Sequence, residues 1–368
     1  SIFKIWKLIQ GGADFGEISA GETGYDKILK GASAFVEKNP VVNVINGLYG
    51  KFGYRRNDYG AKRTNKLAKE WIKNQPSDEP FFLFANYLEP HLEYRPPENI
   101  AKQYLPSEIS YDQAMDINQD AYKYIANKVE MTDHELEILR RLHLAEISYL
   151  DNILSNFLGF LESRGDLEDS VILLCGDHGD NIGEQGLMDH QYSLSNALLH
   201  VPLMIAGGDF DRSSTKKKDV QLCDIYPTIL DIARVEDRKA QNQIEGVSLH
   251  PTSQDNLDER EYTYAHYPSP HPTMDDLEQK VGEIPEEVLR YDRSLQVIRT
   301  PDYKLILGSD GSTRLFERDT DGLTPITNAD VEKELKERLE SEERSDIDNQ
   351  GVEMEESTKS QLEDLGYL

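Results

Sequence analysis

The spacing of apolar side chains changes several times along the chain, and each change predicts a different element. Between residues 133 and 164, Leu136, Leu139, Leu142, Leu150, Ile153 and Phe157 recur every three or four positions, with Ile138, Ile147, Leu154, Leu158 and Leu161 widening the stripe. That period puts one greasy side on a single long helix. Thr132 or Asp133 offers the oxygen that caps its start, and Gly165-Asp166 ends it. Residues 61–75 repeat the spacing more thinly, through Leu67, Trp71 and Ile72 in a charged background. Residues 220–234 form a shorter amphipathic helix, and two charged helices are expected over 330–342 and 355–365.

Three runs are apolar without alternation: 81–87 (FFLFANY), 170–175 (SVILLC) and 198–206 (LLHVPLMIA). Runs of that length, separated by helices, suit strands buried on both faces of a mostly parallel sheet. From about Asp237 the pattern changes. Segments 262–266, 294–299 and 303–307 alternate apolar and polar positions, with Thr300-Pro301-Asp302 and Gly308-Ser309-Asp310-Gly311 as turns. This is the signature of an antiparallel sheet. The expected fold class is therefore α/β: a mostly parallel central sheet flanked by helices over residues 1–240, followed by a smaller antiparallel α+β subdomain with acidic helices over 241–368. Residues 1–60 are glycine-rich and carry no recognisable chemistry, and residues 1–10 look like a helix entered in mid-sequence.

Composition narrows the partners. Sixty-eight acidic residues against 40 basic ones give a formal charge of −28. Such a body repels phosphate backbones and anionic lipid, so no nucleic-acid partner is expected. The plain meaning of the excess is a solvated acidic surface, of the kind suited to high salt. Cys175 and Cys223 are too few for a disulfide framework or a thiolate metal site, and buried free thiols are expected. No run is long enough to span a membrane. No secretory leader is visible either, which favours a cytoplasmic location.

Chemistry gathers at strand ends. Ligands of open α/β sheets bind beyond the carboxyl ends of the strands, where His91 follows the first run and Asp177-His178 the second, between Gly176 and Gly179. A carboxylate and an imidazole on a sharply turning backbone suit Zn, Mn or Fe, and Ca less well. The same three residues also suit a strand-end turn in which Asp177 caps backbone amides. His91 alone equally suits a packing role. His190, twelve residues beyond His178, is either a loop residue or a group that binds an anionic oxygen and protonates a leaving group. The remaining histidines, including His143, have no comparable context.

Residues 176–187 (GDHGDNIGEQGL) and then 199–205 (LHVPLMI) closely resemble the sulfatase family of the alkaline-phosphatase superfamily. Four more segments agree in the same order: 82–91 with Tyr94 and Pro96, 145–151 (AEISYLD), 224–231 (DIYPTILD), and 299–306 (RTPDYKLI) with 315–317 (LFE). The resemblance implies an alkaline-phosphatase-like fold and hydrolysis of sulfate esters, with a small molecule or glycan sulfate ester as substrate. It implies Asp177 and His178 as metal ligands, His91 as a contact to the ester oxygens, and His190 as the group beside the leaving oxygen. Asp180 and Glu184 match motif letters without an assigned role. The implied cofactor is a divalent metal, Ca being most usual and Mn or Zn open because of His178.

The departures matter as much. The family's early pair of aspartate ligands is not found ahead of residue 81, and neither cysteine has the Cys-x-Pro-x-Arg setting that becomes formylglycine. The expectation is a chain without the nucleophile segment, poorly active alone. Two alternatives stand beside the sulfuric-ester hydrolase: a phosphate or phosphonate monoester hydrolase of the same superfamily, and a non-catalytic sulfatase-like binding protein.

Overall fold

The computed structural model describes residues 60–76, 79–210, 218–235, 244–253, 260–319 and 322–343. The helices expected over 1–10 and 355–365 lie outside the described residues. Contacts divide the chain into two compact units, Ser1–Thr215 with His271–Tyr291, and Lys216–Pro270 with Asp292–Leu368. The division is not a single cut near residue 240, because each unit takes a piece of sequence from the other side of it.

In the first unit, helix α1 (Ala61–Lys73) lies against helix α2 (Asp133–Arg164). The buried side of α1 is Ala61, Asn65, Ala68 and Ile72, while Leu67 and Trp71, expected in the core, are 46% and 41% exposed. Small side chains every three or four positions let the helices approach, and Asn65 Nδ2 donates to the Ile153 carbonyl at 2.6 Å. Helix α2 begins with a capping box: Thr132 Oγ1 accepts from the Glu135 amide at 3.2 Å, and Glu135 Oε2 accepts from the Thr132 amide at 2.8 Å. It ends at Gly165, whose φ of 81° is the left-handed conformation that glycine adopts freely. Leu136, Leu139 and Leu142 of α2 form the main core with Tyr94, Ile182 and Met188, whereas Ile147 is exposed.

Residues 81–87 are not a strand. No described strand pairs with them, and Phe82 and Phe84 are 68% and 80% exposed. Strand β1 (Ile172–Cys175) is formed as expected, but the paired neighbour is antiparallel. The chain leaves β1, makes a hairpin of β2 (Asn181–Ile182) and β3 (Met188–Asp189), turns through the short helix α3 (Asn196–Leu199), and returns as β4 (Leu203–Ala206). Leu173 lies opposite Ile205, and the Gly176 amide donates to the Pro202 carbonyl at 3.1 Å. The apolar run 198–206 therefore splits: its first residues complete a helical turn, and only the part beyond Pro202 is strand.

The second unit is a five-stranded antiparallel meander, β5 (Thr263–Tyr267), β6 (Leu295–Arg299), β7 (Tyr303–Gly308), β8 (Thr313–Asp319) and β9 (Gly322–Ile326). Pro325 sits on β9, an edge strand, where a missing N–H costs no ladder bond. Leu335 and Leu339 of α6 (Ala329–Glu343), the helix expected from the charged pattern, pack on Ile298, Leu305 and Leu315. Helix α4 (Ile225–Ala233) belongs to this unit, not the first, whereas α5 (Met274–Val281) belongs to the first. The fully buried Asp224 at its start is held by Arg260 through two bonds of 2.6 and 2.7 Å. Both cysteines are exposed free thiols, not buried ones: Cys175 faces out at the end of β1, and Cys223 stands in the turn before α4.

Candidate metal centre

Beyond β1 the backbone turns at Gly176–Gly179, and the β2–β3 hairpin folds back over the turn. Gly179 makes this possible. Its amide donates to the Leu198 carbonyl at 2.9 Å, and a Cβ there would sit 2.0 Å from the Ala197 carbonyl oxygen. The result brings His178 and His190 face to face, with ring centres 4.4 Å apart and planes 36° apart. Asp180 joins them: ligand atoms of His178, Asp180 and His190 all lie within 4.8 Å of one another, at intermediate burial. Two imidazoles and a carboxylate converging in this way fit a divalent cation of Zn or Mn type better than Ca, which takes oxygen ligands.

Asp177 takes a different position. Its side chain is 64% exposed, its Oδ1 accepts from the His178 amide at 3.0 Å, and its Oδ2 is 4.0 Å from His178 Nε2. The turn-capping role and the approach to the imidazole thus coexist. The same arrangement recurs twelve residues on, where Asp189 Oδ1 accepts from the His190 amide at 2.8 Å and lies 2.5 Å from His190 Nδ1. Asp189 is held in turn by Asn181, a fully buried residue whose Nδ2 donates to the Asp189 carbonyl at 2.9 Å. Burial works against a charge on His190, but the hydrogen bond to Asp189 and the negative charges of Asp189, Asp180 and Asp177 outweigh it and raise the imidazole above its ordinary value. Burial likewise opposes ionisation of Asp189. The hydrogen bond and charge of His190, and then the charge of His91, overcome it and hold the carboxyl below the carboxylate range. His91 is thereby within electrostatic reach of the same hairpin.

The segment carrying His91 is clamped from below. Glu146, on the buried side of α2, accepts from the His91 amide at 3.1 Å through Oε2 and from the Arg95 amide at 2.6 Å through Oε1. Gln119 accepts from the Tyr94 amide at 2.6 Å. The fully buried Tyr94 donates its hydroxyl to Asp180 Oδ2 at 2.7 Å, joining the His91 segment to the turn after β1, and His143 packs edge-on against its ring. Burial and the Asp180 charge drive the Tyr94 phenol well above its usual range, so it stays a donor. Burial pushes Glu146 up to about 8, and the two amide bonds offset it only in part.

Sequence reasoning singled out His91, Asp177, His178 and His190, but it gave Asp180 no role, named Tyr94 and Glu146 only within matching segments, and missed Gln119 and Asp189. The repeated Asp-His pair was a usable signal for Asp189. A glutamate inside an apolar helical stripe was one for Glu146. Glu184 proves structural: it accepts from the Ile182 amide and meets Arg140 of α2 at 3.3 Å, which pins the hairpin to the helix. Neither cysteine supplies a formylglycine setting, so no step is assigned to that group.

The family model for sulfatases matches residues 10–235, more than half of the chain. The chain belongs to the sulfatase family. Among curated proteins it is 34% identical to choline-sulfatase of Rhizobium meliloti over 122 residues, which cover 33% of this chain and 23% of that one. It is 27% identical to arylsulfatase K of Bos taurus over 293 residues, covering 72% and 51%. Against arylsulfatase of Clostridium perfringens the identity is 24% over 301 residues, covering 78% and 57%. The chain therefore spans about half the length of the latter two, and less of the first. Among solved structures, the fold matches phosphonate monoester hydrolase SpPMH from Silicibacter pomeroyi with a TM-score of 0.60 at 20% identity, covering 83% of this chain and 70% of that one. It matches BT4656, solved in complex with its substrate D-glucosamine-2-N,6-O-disulfate, with a TM-score of 0.59 at 20% identity, covering 81% and 72%. No described helix is long and apolar enough to cross a membrane.

Proposed function

We propose that this chain contributes the second half of the metal and leaving-group machinery of a sulfuric-ester hydrolase. The observation that carries the reading is the convergence of His178, Asp180 and His190 at the end of β1. In this reading Asp177 and His178 are metal ligands, with Asp180 beside them. His91 binds a nonbridging ester oxygen, and His190, oriented by Asp189, passes a proton to the departing alcohol rather than ligating the cation. A divalent cation held there would neutralise charge on the ester oxygens and lower the pKa of an oxygen nucleophile. The substrate is a sulfate ester of a small molecule or glycan. The named activities of the curated relatives support that choice, and the folds of the solved neighbours support a mostly parallel central sheet in the whole protein. The same side chains would serve a phosphate or phosphonate monoester equally well, which makes that activity the second reading.

Calorimetric titration of the chain with Zn, Mn and Ca tests the metal site. One tight site for Zn or Mn, lost in His178→Ala and weakened at least tenfold in Asp180→Asn, is expected. Absence of binding by all three ions overturns the metal reading and promotes a non-catalytic binding role. Titration of the metal-loaded chain with inorganic sulfate and with inorganic phosphate then compares the two anion classes without requiring turnover.

A further inference from the structure

The groove between α1 and α2, about 270 Å³ in volume, is lined by Lys62, Lys66, Lys69 and Lys73 from α1 and by Ile153 and Asn156 from α2. Four of the groove's amines thus come from one helix whose neighbouring charges are also positive, Arg63 included, and Glu70 is the only acid lining it. In a chain of net charge −28 this is a local reversal of sign. Elementary electrostatics would place some of the 68 acids here, because like charges at helical spacing repel. Three of the lysines are nonetheless held against aromatic rings, while Lys66 stands 3.8 Å from Glu70. Lys62 Nζ stands 5.3 Å from the centre of the Tyr149 ring, and Lys69 and Lys73 stand 5.4 and 5.6 Å from that of Phe160. Lys69 Nζ also donates to the carbonyl and the Oδ1 of Asn156, at 2.8 and 2.6 Å. Burial, and after it the Lys73 charge, lower the Lys69 pKa.

We infer that the α1–α2 groove is a binding site for a linear polyanionic polysaccharide, distinct from the metal centre and able to hold a glycan chain on an otherwise repelling surface. Lys62 and Lys73 are eleven positions apart, about 16 Å along a helix. A single ester group cannot satisfy amines spread that far, and a chain with repeated negative charges can. A single-stranded nucleic acid would need open aromatic faces for its bases, whereas the rings of Tyr149 and Phe160 already face lysine ammonium groups. The inference rests on the hydrolase reading only for the choice of a glycan, and its test involves neither turnover nor metal.

Fluorescein-labelled dextran sulfate is titrated with the full chain in the presence of a chelator, with anisotropy as the readout. Unlabelled polygalacturonate, neutral dextran and a single-stranded oligonucleotide of matched length compete. Expected are saturable binding, competition by polygalacturonate if carboxylate serves as well as sulfate, and none by neutral dextran. The variant K62Q/K66Q/K73Q leaves the Lys69–Asn156 bonds intact. It should bind at least tenfold more weakly, with the slope of log K against log salt smaller by about 2. Lys333→Gln with Lys336→Gln, on α6, should bind like the parent. Unchanged binding by the triple variant with an unchanged thermal midpoint, or an oligonucleotide competing at least as well as dextran sulfate, overturns the proposal.

Discussion

Glu146 offers the sharpest test of how the site is supported. Its side chain is buried inside α2 and serves as acceptor for two backbone amides, yet burial keeps its pKa at about 8 against an ordinary 4.5. Between those values the folded chain holds a proton that the unfolded chain has released. Folding is therefore favoured by this group at pH 5, and the contribution is lost as pH rises through 8. Integrated from pH 5 to 8, the loss is roughly 3 kcal/mol. Glu146→Gln removes the titration and keeps one carbonyl acceptor, leaving its NH₂ against a second amide donor at a cost of about 1–3 kcal/mol. Urea unfolding of the metal-free chain, followed by the fluorescence of Trp6 and Trp71 at pH 5, 6.5 and 8, measures the gap. The parent should lead the variant at pH 5, and the lead should shrink by roughly 3 kcal/mol at pH 8. A gap that stays constant, or widens toward pH 8, refutes the argument that desolvation dominates Glu146.

Tyr94→Phe keeps the ring packing but removes the donor to Asp180; it should cost about 1–2 kcal/mol in urea unfolding and weaken Zn or Mn binding in the calorimeter. Gly179→Ala forces a carbon against the Ala197 carbonyl, so the turn must open, and metal affinity should fall at least tenfold. Gly159, inside α2, meets nothing within 4 Å of an added Cβ; Gly159→Ala should stabilise the chain by about 0.5–1 kcal/mol, read as a higher urea midpoint. Arg260→Ala leaves the buried Asp224 carboxylate without its cation and should destabilise the second unit by about 3 kcal/mol, seen by thermal unfolding followed by circular dichroism.

Local rules made much of this legible. The long helix begins at its capping box and stops at its glycine where the sequence placed them, because caps are decided by a few adjacent residues. The antiparallel strands of the second unit were readable from their turns and partial alternation, although the central strands bury both faces: Ile298 and Leu305 lie against α6, and Val297 and Ile306 are buried on the opposite side. Residues 81–87 failed for the opposite reason: a strand exists only with a partner, and apolar character says nothing about whether one is paired. The core side of α1 was misread because Ala61, Asn65 and Ala68 are too small or too polar to register as a stripe, while Trp71 reaches out to Phe81. At the candidate site, the rule that ligating residues follow strands led to Asp177 and His178 beyond β1; it led to His91 through a run that forms no strand, and His190 came from its spacing after His178. The supports Glu146, Gln119 and Tyr94 act across 25 to 86 residues of chain, a distance no local pattern encodes.

Asp189 adopts φ 70°, a left-handed backbone that a residue with a side chain enters at a cost. Glycine would relax the tight turn between β3 and the following loop, but it would take away the carboxylate that holds His190 Nδ1 and its amide. The two demands oppose each other at one Cα, and the carboxylate has prevailed over backbone comfort. A hinge-point that sacrifices conformational ease for the aim of a single ring is what a working part, rather than a girder, looks like from inside the chain.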